Sequence, residues 1–139
     1  MKKVFDLEAF CYYSNMNRAS FALIRNRNNE ILLVKSLTNR MFVNQRSLPG
    51  GVVEPYETLE VGVMREVFEE VGLVCNIKNQ LRQILNVQDN MTITTFLAEY
   101  VSGDMILQPE EISDAKWFSV EDTESLLIGF NIRELFIYV

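Results

Sequence analysis

A chain of 139 residues, 48% hydrophobic and 23% charged, has the length and composition of one globular domain with an ordinary core. A net charge of −6 argues against a broad nucleic-acid surface. The chain has no histidine, which removes His-based general catalysis, Ser-His-Asp hydrolysis and His-ligated zinc together.

No internal repeat, low-complexity segment or linker divides the sequence, so residues 1–139 are expected to form a single domain. Asp6 and Glu8 interrupt what would be the apolar core of a signal peptide, and no apolar run approaches membrane-spanning length. A cytoplasmic chain that does not cross a membrane is therefore expected. Cys11 and Cys75 lack the Cys-x-x-Cys spacing of a metal site and read as reduced, buried thiols.

Residues 20–25 and 31–34 have strand composition, and the polar turn Asn26-Arg27-Asn28-Asn29 between them predicts a hairpin. Leu48-Pro49-Gly50-Gly51 breaks regular structure. From 58 to 71 the pattern is helical, with Thr58 as N-cap and Gly72 where a left-handed residue closes a helix. Residues 81–87 and 91–101 predict two strands with Asp89-Asn90 at the turn, and 115–118 a short one. Helical segments follow near 120–128 and 132–138. Strands on both sides of a central helix, with a helix late in the chain, imply a mixed sheet flanked by helices, an α/β (α+β) class.

On the helix, Met64, Val67, Phe68 and Val71 share an apolar face, while Glu66, Glu69 and Glu70 stand at i, i+3 and i+4 on a separate arc. Like charges at that spacing repel, and these lie in the helix's second half, on the unfavourable side of its dipole. A hard divalent cation would relieve both costs, since Mg²⁺ prefers oxygen ligands. Charge is unevenly distributed, as a cation site or ordinary solvated surface would equally allow: residues 1–50 hold eight Lys/Arg against three Asp/Glu, and residues 51–139 five against sixteen. The acidic part can hold cations, and the basic part can then grip a phosphorylated ligand.

The spacing extends further. Gly51 is followed after five residues by Glu57, and after seven more by Arg65-Glu66-Val67-Phe68-Glu69-Glu70-Val71-Gly72-Leu73. Position for position, this resembles the signature of the Nudix hydrolases. The resemblance implies an α/β/α sandwich with a mixed sheet between helices. It also implies metal-dependent hydrolysis of a nucleoside diphosphate linked to another group, with Mg²⁺ or Mn²⁺ as cofactor. Glu66, Glu69 and Glu70 would be the metal ligands, one of them polarising the attacking water, and Gly50 would contribute its main-chain carbonyl. Arg65 would orient the loop by a two-pronged pairing with Glu57, which then supports the site rather than touching metal.

Outside the motif, Glu111 stands where many family members use a loop acid, as an auxiliary base or second-metal ligand. Lys35 and Arg46 are candidates for substrate phosphates, although Arg46 stands where many relatives have Trp. Phe42, Tyr56 and Phe96 are candidates for base stacking. The implied partner is a small nucleotide diphosphate derivative, with no membrane and no extended nucleic acid, and homodimers are common in the family. ADP-ribose and other nucleotide sugars, nucleoside triphosphates and dinucleoside polyphosphates all remain open as substrates. The alternative is a silent Nudix-like module that senses a nucleotide or sugar phosphate, but such modules usually lose motif glutamates, and all four are present here.

Overall fold

A computed structural model describes residues 16–38, 45–129 and 131–139. Cys11, Phe42 and the acid-bearing first residues fall outside these. Six strands, β1 (Asn17–Arg25), β2 (Ile31–Ser36), β3 (Gly50–Val52), β4 (Val74–Asn86), β5 (Met91–Ser102) and β6 (Ile112–Phe118), form one sheet in the order β4-β5-β1-β2-β6, with β3 paired to β1. β1 runs parallel to β5 over its whole length, and the other pairings are antiparallel, so the sheet is mixed.

The predicted hairpin exists only at its neck. Asn26 closes the turn, its Oδ1 accepting from the Asn28 and Glu30 amides, but β1 and β2 pair at Arg25 and Ile31 alone. Past that point β3 takes the free edge of β1 at residues 19–21, and β2 turns to pair with β6. This divergence opens the sheet beside Gly50, where the site lies.

Helix α1 (Leu59–Val71) begins and ends where the sequence predicts. Thr58 accepts from the Val61 amide at 3.1 Å, and Gly72, at φ 76°, donates its N–H to the Phe68 carbonyl. The buried face differs from the expected one. Val63, Val67 and Val71 pack into the core with Glu70, while Phe68 is 58% exposed. Seven residues at 100° place Glu70 within about 20° of Val63, so a helix rotated to seat Glu70 inward turns Phe68 outward.

α1 covers one face of the sheet through Ala22, Ile24, Leu32, Val34 and Phe96. The other face packs Leu23, Ile31, Leu33 and Leu48 against a 3-10 helix at Ile132–Tyr138. The helix–sheet–helix layering follows, with a 3-10 helix as its C-terminal layer. The predicted helix at 120–128 is reduced to one 3-10 turn, Glu121–Thr123, followed by irregular chain that pairs in part with Arg46. β4 is longer than predicted, because three register shifts let the polar run 76–80 continue the strand.

Candidate active site

The site is built where β3 meets the second half of α1. Gly50 and Gly51 lie on β3; a side chain at Gly50 would strike backbone, and one at Gly51 would displace the Glu66 carboxylate. At Gly50, with φ 148°, a Cβ would stand 2.2 Å from the Ser20 carbonyl oxygen. At Gly51 it would stand 2.8 Å from Cδ of Glu66. The second clash locates the chemistry, since the bare backbone of Gly51 is what lets a carboxylate lie against it.

Glu70 reaches the same place from the next helical turn. Its Oε1 accepts from the Gly50 amide at 2.9 Å, and the residue is only 6% exposed. Burial, opposed by that amide and reinforced by Glu66, Glu111 and Glu69, pushes its carboxyl up to about 8. Glu66, its side chain 17% exposed, is also shifted upward, chiefly by burial, against the pull of Arg65. Both carboxylates line a cleft of about 340 Å³ with Gly50, Gly51 and Glu111.

Glu111 arrives from the opposite wall. The chain after β5 runs back along the end of α1, where the Ile106 and Gln108 amides donate to the Val71 and Glu70 carbonyls at 2.9 Å each. These bonds satisfy carbonyls that a helix end leaves open, and they deliver Glu111 to the cleft on a fixed loop. Its carbonyl also accepts from the Leu37 amide at 2.7 Å.

Glu69 is not part of this convergence. Its side chain is 55% exposed and pairs at 3.1 Å with Nη1 of Arg65, one helical turn back. Glu69 stands about 100° around the helix from Glu70, and with Glu70 turned inward it faces solvent. Arg65 is the hub of the loop side. It donates to both oxygens of Glu57, at 2.7 and 2.8 Å, to Glu66 at 3.2 Å and to the Val52 carbonyl at 3.2 Å. The pairing with Glu57 is thus two-pronged, and Glu57 also accepts from the Glu54 amide at 2.9 Å. These bonds, Arg65 first, lower the Glu57 carboxyl to about 2.

The two candidates for phosphate contact lie elsewhere. Arg46 is buried, with its guanidinium paired to Asp114 and stacked 5.1 Å from the Phe118 ring centroid. Asp114 is pushed upward by burial, but hydrogen bonding and charge from Arg46 outweigh this, and its carboxyl stays low. Arg46 therefore ties the chain before β3 to β6, and it does not line the cleft. Lys35 alternates with Val34 and Ser36, which line the cleft, so its side chain leaves from the other face. Phe96 is a core residue and Tyr56 projects into solvent on the loop before α1. The cleft lining also carries hydroxyls, Ser36, Thr38 and Ser47, and no described Lys or Arg. The hydroxyls escaped the sequence reading because single Ser and Thr residues in strands and turns carry no distinguishing spacing.

Among the described residues, no three His, Cys, Asp or Glu side chains already stand in an arrangement that could hold a metal ion. The donors nonetheless suit a hard divalent cation. Mg²⁺ is commonly held by one or two carboxylates, with waters and substrate phosphate completing its shell. Glu66 and Glu70 supply two such groups against a backbone cleared of side chains.

Comparison with known proteins gives the family and the fold. The chain is 39% identical over 119 residues to the NAD-capped RNA hydrolase NudC of Pseudomonas putida (strain F1), covering 85% of this chain and 42% of that protein. It thus spans about 42% of the length of this curated relative. The fold is shared with a MutT NUDIX hydrolase from Burkholderia pseudomallei, at TM-score 0.72 and 22% identity over 88% of this chain and 95% of the other. A MutT protein from Methanosarcina mazei Go1 gives TM-score 0.70 and 28% identity over 88% and 91%. The family model for the NUDIX domain matches residues 16–136, and the chain belongs to the Nudix family.

Proposed function

We propose that this chain is a metal-dependent hydrolase that cleaves the diphosphate joining a nucleoside to a second group. The observation that carries the proposal is the convergence of Glu66, Glu70 and Glu111 on one cleft floored by Gly50 and Gly51. Acid groups alone repel a diphosphate, so this lining makes chemical sense with Mg²⁺ or Mn²⁺ between protein and substrate. When bound, the cation neutralises phosphate charge, stabilises the leaving group and lowers the pKa of coordinated water.

Glu66 and Glu70 would hold the cation, with the Gly50 backbone beside them. Glu69 joins only by giving up its pairing with Arg65, and we assign it a lesser role. Glu111, exposed on its loop, accepts the proton as water attacks one phosphorus in line and the bridging P–O bond breaks. Arg65 and Glu57 support the set without touching substrate. The relative named NAD-capped RNA hydrolase makes NAD and NAD-capped RNA the first substrates to try, since each carries a diphosphate between two nucleosides. A cytoplasmic location remains an expectation from the sequence, and a homodimer one from the family.

The test is a panel of NAD, NAD-capped RNA, ADP-ribose, nucleoside triphosphates and dinucleoside polyphosphates, with and without Mg²⁺ or Mn²⁺. Turnover that requires the metal and releases a nucleoside monophosphate from a diphosphate-linked substrate supports the proposal. Tight binding without turnover points instead to a sensing module, and turnover independent of metal refutes the role given to the glutamates.

A further inference from the structure

We infer that Arg18 is a positioning residue for this reaction, locking the loop that aims Glu57 at Arg65 and so fixing the glutamates that Arg65 holds. The kinetic consequence rests on the hydrolase reading, while the contact itself stands on geometry alone.

Arg18 lies on β1, two residues before Ser20, so both side chains leave the same side of the strand. Its Nη2 donates to the main-chain oxygens of Glu54 at 2.8 Å and Glu57 at 2.9 Å, with Pro55 at 3.5 Å. Its own carbonyl accepts from the Val53 amide at 2.8 Å. Arg18 therefore grips the turn at 53 through its backbone and at 54 and 57 through its side chain. Ser20 adds the next hold, its Oγ donating to the Leu59 carbonyl at 3.1 Å in the first turn of α1.

The choice of acceptors is informative. Among the described residues, the Arg18 guanidinium bonds main-chain carbonyls rather than a carboxylate. Charge-assisted bonds of this kind are stronger than neutral ones, and directed at the Glu54 and Glu57 carbonyls of one turn they fix a backbone path. The turn also closes on itself, the Glu57 amide donating to the Glu54 carbonyl at 3.0 Å, but Glu54, Pro55 and Tyr56 are all exposed, so Arg18 is what ties the turn to the sheet through a side chain. The path matters because Glu57 sits at its end, turned inward to accept from the Glu54 amide and from both arms of Arg65.

If the turn frays, Glu57 releases Arg65, whose remaining partners are Glu66 at 3.2 Å, Glu69 at 3.1 Å and the Val52 carbonyl. Arg65 then competes for Glu66 and draws it from the cleft. The loss should appear in turnover and metal requirement rather than in substrate KM, because Arg18 does not line the cleft.

Arg18→Met and Arg18→Lys test this in the full chain. With Arg18→Met, kcat should fall roughly tenfold and metal half-saturation rise by a similar factor, while KM changes less than about twofold. Lys should recover part of the loss, because an ammonium still donates to carbonyls. A second readout needs no turnover: NMR exchange of the Arg65 Nε–H, bonded to Glu57 at 2.7 Å in the wild type. That proton should exchange faster in either variant, with β1 and β5 amides still protected. Unchanged exchange in a folded variant overturns the inference, as does a loss confined to KM or no recovery with Lys. Should Arg18→Met fail to fold, Arg18→Lys decides by the same exchange. A wild type that hydrolyses nothing defeats the hydrolase proposal, and the exchange rate still judges Arg18.

Discussion

Burial, with Glu66 and Glu111 close by in the cleft, holds the Glu70 carboxyl up at about 8 even though the Gly50 amide donates to it and pulls the other way. Free of metal at pH 7, Glu70 carries a proton that the unfolded chain has already lost. The folded state thus binds more protons between 4.5 and about 8, and metal-free stability should decline as pH rises through that window. A cation entering the site must displace this proton. Calorimetric titration with Mg²⁺ at pH 7, in buffers of different ionisation enthalpy, should show release of about one proton, and Glu70→Gln should abolish it. The contrast between Glu70 and Glu69 gives a second prediction. Glu70→Gln should reduce kcat by roughly a thousandfold, the scale of a lost electrostatic contact to the reacting groups. Glu69→Gln, removing an exposed partner of Arg65, should cost about tenfold or less. Equal losses would place Glu69 in the site beside Glu70. From the sequence the three glutamates are equivalent by spacing, and only the rotation of the helix separates them.

Helix α1 was the most legible element, because its cap, its closing glycine and its apolar period all agree. What periodicity missed was its rotation. Apolar counting favours burying Phe68, whereas the packing of Val63 and the bond from Gly50 to Glu70 turn Phe68 out. The Glu57–Arg65 pair was legible too, since the motif spacing brings the loop back over the helix. Its pH behaviour follows from a Glu57 carboxyl lowered from 4.5 to about 2. A lowered carboxyl contributes stability that is present above the unfolded value and disappears as pH falls through the folded one. The melting temperature of wild type should therefore exceed that of Glu57→Gln at pH 7, with the gap closing between pH 4.5 and 2. A gap that stays constant over this range would show that the ion pair contributes nothing.

Across the molecule, strand composition located the sheet but not its pairing. The β1–β2 turn suggests a hairpin, yet β5 holds one edge of β1 and β3 takes most of the other, which leaves that hairpin one residue pair. Part of the basic first third has a structural task. Arg18, Arg25 and Arg46 serve the frame, on loop carbonyls, on Glu99 and on Asp114. Arg46 joins the chain entering β3 to β6 across the sheet, and removing its partner leaves a buried charge. Asp114→Asn should destabilise the fold by about 2 kcal/mol, below the full value for a buried pair because Asp114 is partly solvated. Urea denaturation measures this, and a change under about 0.5 kcal/mol would mean that Phe118 alone suffices to hold Arg46. The layers on the two faces of the sheet then serve different ends: the C-terminal layer closes a core, and α1 closes a core while presenting its acids to the cleft.

The most direct measurement is an anomalous difference map from crystals of the full chain soaked in Mn²⁺. A peak about 2.1–2.2 Å from carboxylate oxygens of Glu66 and Glu70, the distance expected of a small divalent ion, is the predicted result. Density for both side chains in place with no peak between them, or a peak only at another acidic cluster, would contradict the account.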